Sequence, residues 1–329
     1  MTGKLELVCP AGTLPALRAA VDAGADAVYV GLRDRTNARN FPGLNFGRDE
    51  LAEGLSYAHA RGRKLFLAVN TYPAAGNFGP WQAAVDTAAR IGVDAVILAD
   101  IGLLAYCAET HPDLRRHLSV QASAANSEAI AFYAREFGVR RVVLPRVLSV
   151  PEIATLNSQV SVDTEVFAFG GMCVMAEGRC SLSGCATGLS PNLDGVCSPA
   201  SHVRYVERGD ELVAQLGGFT IDTFRRGEPA GYPTLCKGRF VARGRPSHLF
   251  EDPTSLNAIA LLPDLMAAGG RALTIEGRQR GRAYVQQVTA VFRRAIDAAA
   301  SNAAVDVSGL ADIAEGGRMT GGAYTKTWR

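Results

Sequence analysis

From its first residues to Phe169 the chain alternates short apolar runs with longer segments of mixed polarity. The short runs read as strands. Ala27–Gly31 (AVYVG) is apolar and rich in β-branched residues, the pattern of a strand covered on both faces in a parallel sheet. Lys4–Cys9, Lys64–Asn70, Ala95–Asp100, Leu118–Ala122, Arg141–Pro145 and Glu165–Phe169 read the same way. Between them the pattern predicts helices over Thr13–Ala23, Arg48–Ala60, Trp81–Ile91, Gly102–Thr110, Glu128–Phe137 and Val150–Asn157. Thr13 is the expected N-cap of the first helix and Gly24 its stop. An eighth strand, Ala272–Glu276, comes late, after a helix expected over Leu256–Ala268. A last helix is expected over Arg282–Ala300, followed by a tail with little structure until Gly321.

Eight strands alternating with helices predict an α/β chain of the (β/α)8 TIM-barrel type. An open doubly wound sheet is the competing arrangement, but no G-x-G-x-x-G follows the first strand. Gly24-Ala25-Asp26-Ala27 and Gly92-Val93-Asp94-Ala95 recur before the second and fourth strands as a short internal repeat. One interruption breaks the alternation. Gly171 to Thr254, 84 residues, separates the seventh strand from the next helix, where about 2–6 residues normally suffice. The chain therefore reads as one barrel-like domain over residues 1–329, with an insertion over 171–254 at the C-terminal mouth, where barrels keep their active sites.

Composition narrows the function. The chain has 329 residues, a net charge of +2 and 20% charged residues, so its balance is that of an ordinary globular protein without the basic excess of a nucleic-acid binder. No nucleic-acid partner is expected on that ground. The most apolar window, Val93–Cys107, is broken by Asp94 and Asp100 and is too short to span a bilayer. With no basic start leading into a long apolar run, the chain is expected to be soluble and cytoplasmic.

Five of the seven cysteines fall in the interruption: Cys173, Cys180, Cys185, Cys197 and Cys236. In a reducing compartment such a cluster points to metal or redox chemistry. The gaps do not form the paired C-x2–4-C knuckles of structural zinc. Irregular spacing with one remote cysteine suits an iron–sulfur cluster, while zinc and scattered structural thiols remain as alternatives. Cys107 sits in an apolar helix and reads as core; Cys9 ends the first strand and reads as structural.

Several segments carry a more specific signal: ELVCPAGTLPALRAAVDAGADAVYVGL, TNARNFPGLNF, VQASAAN, RVVLPRVLS, EVFAFGGMCVMAEGRC, GYPTLCKGRF, PTSLN and IEGRQR. In order and over nearly the whole chain, they resemble the UbiU family of ubiquinone-biosynthesis proteins, within the collagenase-like peptidase superfamily. The resemblance implies a 4Fe–4S cluster on Cys173, Cys180, Cys197 and Cys236, with Cys185 as a bystander thiol. It implies an iron–sulfur component of an oxygen-independent hydroxylase acting on the aromatic ring of prenylated quinone precursors. It further implies a paralogous UbiV-like partner as heterodimer, a lipid-binding helper, and an organic oxygen donor such as prephenate. Relatives in the superfamily hydroxylate RNA bases, so an RNA-base hydroxylation factor is the alternative. A peptidase and a non-catalytic redox subunit are further ones.

The mouth loops supply polar candidates. Arg33, Asn37, Arg39, Asn40 and Arg146 could clamp a carboxylate of the donor or contact the substrate. Solvated loop charges, or salt bridges to Asp34 or Glu177, are the plainer reading. Gln121, Ser123 and Asn126 could orient a ring or cap the next helix. His202, five residues after Cys197, is the histidine expected nearest the cysteines. Neither H-E-x-x-H nor G-x-S-x-G occurs, so no peptidase motif is present.

Overall fold

Strands that are apolar on both faces need covering on both, and here they are covered by closing into a barrel. The computed structural model describes residues 5–173, 180–299 and 306–325. The first part runs β1 (Glu6–Pro10), α1 (Leu14–Asp22), β2 (Ala27–Gly31), α2 (Arg48–His59), β3 (Lys64–Val69), α3 (Gly79–Ile91), β4 (Ala95–Leu98) and α4 (Ile101–Thr110). It continues β5 (Arg116–Leu118), α5 (Ser127–Phe137), β6 (Arg141–Val143), α6 (Val150–Gln159) and β7 (Asp163–Gly171). The insertion holds α7 (Ser181–Thr187), β8 (Val203–Arg208), β9 (Glu211–Leu216), β10 (Phe219–Arg225), β11 (Arg239–Ala242) and β12 (Arg245–His248). The chain then gives β13 (Ser255–Asn257), α8 (Leu262–Ala267), β14 (Ala272–Ile275), α9 (Arg282–Ala299) and β15 (Met319–Thr320).

β1 to β7 pair in chain order, and β14 pairs in parallel with both β1 and β7. Eight parallel strands thus close on themselves, the (β/α)8 arrangement that the alternation predicts. Inside, small residues (Ala27, Ala68, Ala95, Ala272) alternate with Phe66 and Ile97, the size mixture that fills a tapering barrel. Outside, α9 lays Val285, Val288, Val291, Phe292 and Ile296 against the strands, and each such buried side chain stabilises by about 1.5–3 kcal/mol.

Local signals in the sequence set the boundaries. Thr13 Oγ1 accepts from the Ala16 amide at the start of α1, and Asn126 Oδ1 accepts from Ala129 at the start of α5. The Gly-x-Asp-Ala repeat has a physical role. Gly24 and Gly92 turn with positive φ, of 101° and 84°. Asp26 Oδ2 then accepts from the Leu7 amide of β1 at 2.9 Å, and Asp94 Oδ2 from the Leu65 amide of β3 at 2.7 Å. Each aspartate ties the strand it starts to the strand before.

The base of the barrel holds an ionic plug. Arg141, nearly buried, pairs with Glu165 at 3.3 Å and with Glu6. Burial pushes Glu165 up, only partly offset by Arg141. Burial works the same way on Glu6, but Arg141 and Lys64 overcome it and hold that carboxyl low. His117 stacks edge-on against Phe66 at 4.8 Å and is held neutral by burial and by Arg141 and Arg115.

Three expectations are corrected. The fifth strand ends at Leu118, and Val120–Ala122 form a 3-10 turn, because Ser119 Oγ caps it by accepting from the Gln121 amide. The helix expected over Leu256–Ala268 begins only at Leu262; Ser255–Asn257 instead extends the sheet antiparallel to β7. The tail is structured over 306–325. Its β15 pairs with β13, Leu310 is buried, and the Tyr324 hydroxyl donates to Phe167 O at 2.7 Å. The basic end of that tail lies outside the described residues. No helix among the described residues is long and apolar enough to cross a membrane.

Candidate functional site

The C-terminal ends of the barrel strands open into a cavity of about 1290 Å³. Tyr29, Asn70, Ile97, Ser119, Val143, Phe167, Thr274 and Glu276 line it from the barrel. The insertion roofs it with Ala214, Asp222, Phe224, Tyr232 and Arg239, and the tail closes one side with Asp312, Ala314 and Glu315. The insertion reaches this position because it docks on the loops after β2 and β3. Asn40 N donates to Gly195 O at 2.9 Å, Tyr72 N donates to Asn192 O at 2.8 Å, and Arg35 pairs with Asp194 at 3.3 Å. Gly195 is required there: its φ is 83°, and a Cβ would lie 2.3 Å from Asn37 O.

Cys173, Cys180, Cys197 and Cys236 all line the cavity. They come from four different places: just past β7, the N-cap of α7, the turn after Gly195, and a 3-10 turn at Leu235–Lys237. Cys185 is exposed on α7 and does not line it. Cys9 and Cys107 are buried in the barrel core, with Thr289 Oγ1 at 3.2 Å from Cys9 Sγ. Burial pushes the Cys236 thiol up to about 11 and raises Cys197, against which the Arg39 cation acts. Among the described residues, no three His, Cys, Asp or Glu side chains converge on a point that a single metal ion could occupy. Four thiols lining one cavity are a soft donor set of the kind that iron–sulfur clusters and zinc both use.

Positive charge faces these thiols. Arg39 Nε lies 3.4 Å from Glu276 Oε1, and its Nη1 donates to Ala38 O at 2.9 Å. Burial lowers its proton affinity, but Glu276, Cys197 and Cys173 more than reverse this. Burial likewise raises the Glu276 carboxyl, yet Arg39 and Arg146 hold it below the usual range. Arg146 lies over the Phe167 ring at 3.6 Å. Lys237, next to Cys236, pairs with Glu315, which Arg280 also contacts at 3.1 Å.

The other candidates separate cleanly. Arg33 faces outward, bonded to Glu50 at 2.7 Å and to Asn45 O at 2.9 Å, and does not line the cavity. Asn37 is fully buried behind the wall. Its Oδ1 accepts from the Arg39 amide and from Arg278, so it positions both arginines. Gln121 lines the cavity and accepts from Asn192 Nδ2 at 2.9 Å, whereas Asn126 is a helix cap. His202 contacts Ser201 and does not line the cavity; His248 does. The His248 Nδ1 faces the Lys237 and Gly238 carbonyls at 3.1 and 3.2 Å, so it carries the proton and Nε2 is the acceptor. Neither His248 nor Arg278 was singled out as a site residue from the sequence: His248 belongs to no motif, and Arg278 lies in the IEGRQR segment with nothing local to mark its role. Glu177, one candidate salt-bridge residue, lies outside the described residues.

Residues 12–318 match the sequence profile of peptidase family U32. The chain belongs to that family. Among similar proteins is "tRNA hydroxylation protein P" of Escherichia coli, 34% identical, with 95% of this chain and 72% of that protein covered. "tRNA hydroxylation protein P1" of Bacillus subtilis is 31% identical, over 91% of this chain and 64% of its own. The "23S rRNA 5-hydroxycytidine C2501 synthase" of Escherichia coli is 30% identical, over 90% and 40%. A solved U32 peptidase structure, 19% identical, covers 50% of this chain and 68% of its own with a TM-score of 0.41. These three relatives are named for hydroxylation or for synthesis of a hydroxylated base, two in tRNA and one in 23S rRNA.

Proposed function

We propose that this chain is an oxygen-independent hydroxylase of an RNA base, with a 4Fe–4S cluster held by Cys173, Cys180, Cys197 and Cys236. One observation carries the reading. Four cysteines spread over the insertion line one cavity at the barrel mouth, and the fifth, Cys185, does not. The relatives' names supply the substrate class. A cluster in that position would supply electron transfer, or Lewis acidity through an iron with an open coordination site. The chain's own residues do the rest. Arg39 and Lys237 offset the negative charge of thiolates, and binding a metal in place of the thiol protons overcomes the burial that keeps them protonated. Tyr232, which lines the cavity and is half exposed, offers a ring on which an extruded base could stack. The cavity exceeds the about 300–1,000 Å³ of an ordinary small-molecule pocket, leaving room for a prosthetic group beside a substrate.

The near-neutral net charge does not oppose this reading. A single-stranded or flipped base is read by stacking and edge hydrogen bonds inside a pocket, which needs no broad basic face. The peptidase alternative has neither an H-E-x-x-H nor a G-x-S-x-G motif to support it.

A quinone ring is the second reading, favoured by the apolar lining of the same cavity, Ile97, Val143 and Phe167 from the barrel and Phe224 from the insertion. In it the chain acts with a paralogous UbiV-like partner and a lipid-binding helper on a prenylated precursor, and an organic acid such as prephenate supplies the oxygen. Deletion in the native host separates the two. The RNA reading expects one hydroxylated nucleoside to vanish from tRNA or rRNA digests and to return with the wild-type chain. An unchanged nucleoside profile, with anaerobic ubiquinone lost, would replace it by the quinone reading. Anaerobically purified protein should carry about four irons and four sulfides per chain; zinc in their place would overturn the cluster.

A further inference from the structure

Arg278, three residues past β14, is only 5% exposed and lines the cavity. A guanidinium has five N–H donors. Among the described residues, Arg278 uses one in a hydrogen bond, to Asn37 Oδ1, and forms no ion pair. The other group against it is the Tyr29 ring, 5.4 Å from the guanidinium carbon. Tyr29 supplies no counter-charge, since its hydroxyl donates to Ile275 O at 2.8 Å. The nearby carboxylates are committed elsewhere, Glu276 to Arg39 and Gln279, and Glu165 to Arg141. Burial, together with repulsion from Arg39 and only partly offset by the attraction of Glu276, lowers the Arg278 pKa to about 10. Arg39, Arg141 and Arg293 each have a carboxylate partner, and buried Arg116, which pairs with none, gives its N–H groups to the carbonyls of His111, Pro112, Leu114 and Phe137.

A buried guanidinium with neither an anion nor acceptors for most of its N–H groups is costly, and a ligand that supplied them would offset that cost. We propose that Arg278 anchors an oxyanion subsite on the barrel side of the cavity, which takes one carboxylate or phosphate group of a molecule bound in the mouth. Asn37 aims the guanidinium by one bond, leaving the rest of the fork toward the cavity, the arrangement suited to bidentate capture of a planar oxyanion. The Tyr29 ring supports it from one face. The subsite stands apart from the hydroxylation reading, because its test uses neither iron nor RNA.

The test is calorimetric titration and thermal unfolding of the full chain at fixed ionic strength, with malonate and inorganic phosphate as probes and malonamide as the uncharged control. Arg278→Met and Arg278→Lys are compared with the wild type and with Arg33→Met, a surface control. The wild type and Arg33→Met should bind at least one anion and not malonamide. Arg278→Met should lose about tenfold or more in affinity, the equivalent of one charge-assisted hydrogen bond. Without ligand it should unfold no earlier than the wild type, since it removes an uncompensated charge. Arg278→Lys, which keeps the charge but not the fork, should bind with intermediate affinity and decides the matter if the Met variant fails to fold. Tighter malonate binding assigns the subsite to an organic acid, and tighter phosphate binding assigns it to a phosphate. The proposal is overturned if neither anion binds the wild type, or if both substitutions leave the affinities unchanged.

Discussion

Replacing Gly195 by alanine tests whether the insertion is held over the barrel mouth by the loop after β2. Gly195 has φ 83°, a region that costs a residue with a Cβ about 1–2 kcal/mol. The added Cβ would also stand 2.3 Å from Asn37 O and 2.7 Å from Asn40 Cβ. Backbone at that distance cannot swing aside as a side-chain tip can, so the turn must move and the Asn40 N–H to Gly195 O bond must go. That bond contributes about 0.5–1.5 kcal/mol net. Together the local opening of the turn becomes easier by about 1.5–3.5 kcal/mol, roughly 10- to 300-fold in its equilibrium constant. Amide hydrogen exchange reads this directly in reduced, metal-free protein. The Asn40 amide should exchange faster by that factor, and the Tyr72 amide, bonded to Asn192 O, should follow. Amides in the β2–β3 ladder, such as that of Leu67, should be unaffected. Unchanged Asn40 exchange would refute the docking argument. Equal acceleration in the barrel would show that the substitution acts on global stability instead.

Three further outcomes follow from the same geometry. Cys185→Ser should leave the iron content of anaerobically purified protein intact, while Cys197→Ser should reduce it sharply; iron lost from the Cys185 variant would mean that the ligand set is wrong. Tyr324→Phe strands the buried Phe167 carbonyl and should cost about 1–3 kcal/mol in urea unfolding; a neutral result would mean that the tail does not brace β7. His117 is held neutral in the folded state with its pKa well below 6.5, whereas the unfolded chain takes up a proton near that value. Acid therefore favours unfolding, with a loss of up to about 1.4 kcal/mol per pH unit as pH falls below about 6.5. His117→Gln should flatten that slope between pH 6.5 and 5, and an unchanged slope would remove His117 as its source.

The barrel was legible because its signals are local. An apolar run, a cap such as Thr13 and a Gly-x-Asp turn each lie within a few residues, and they repeat. Where two local patterns compete the reading slips: Ser255–Asn257 resembled the start of a helix, but its pairing partner, β7, lies more than 80 residues upstream. The tail looked structureless for the same reason, since Leu310 and Tyr324 gain their burial from distant surfaces. The site divides along this line too. Cysteines announce themselves by residue type, so the five thiols of the insertion stood out before their positions were known, while the choice of four among them came from the family resemblance. Arginines do not. Arg33 and Arg39 are six residues apart in one loop, yet one is an outward partner of Glu50 and the other faces the thiols. What separates them is whether a carboxylate or a cavity stands opposite, and that is decided by elements far along the chain. Arg278 is the sharpest case: its neighbours in sequence, Glu276 and Gln279, bond elsewhere, so its unmatched charge becomes visible only once the barrel has closed β14 against β1.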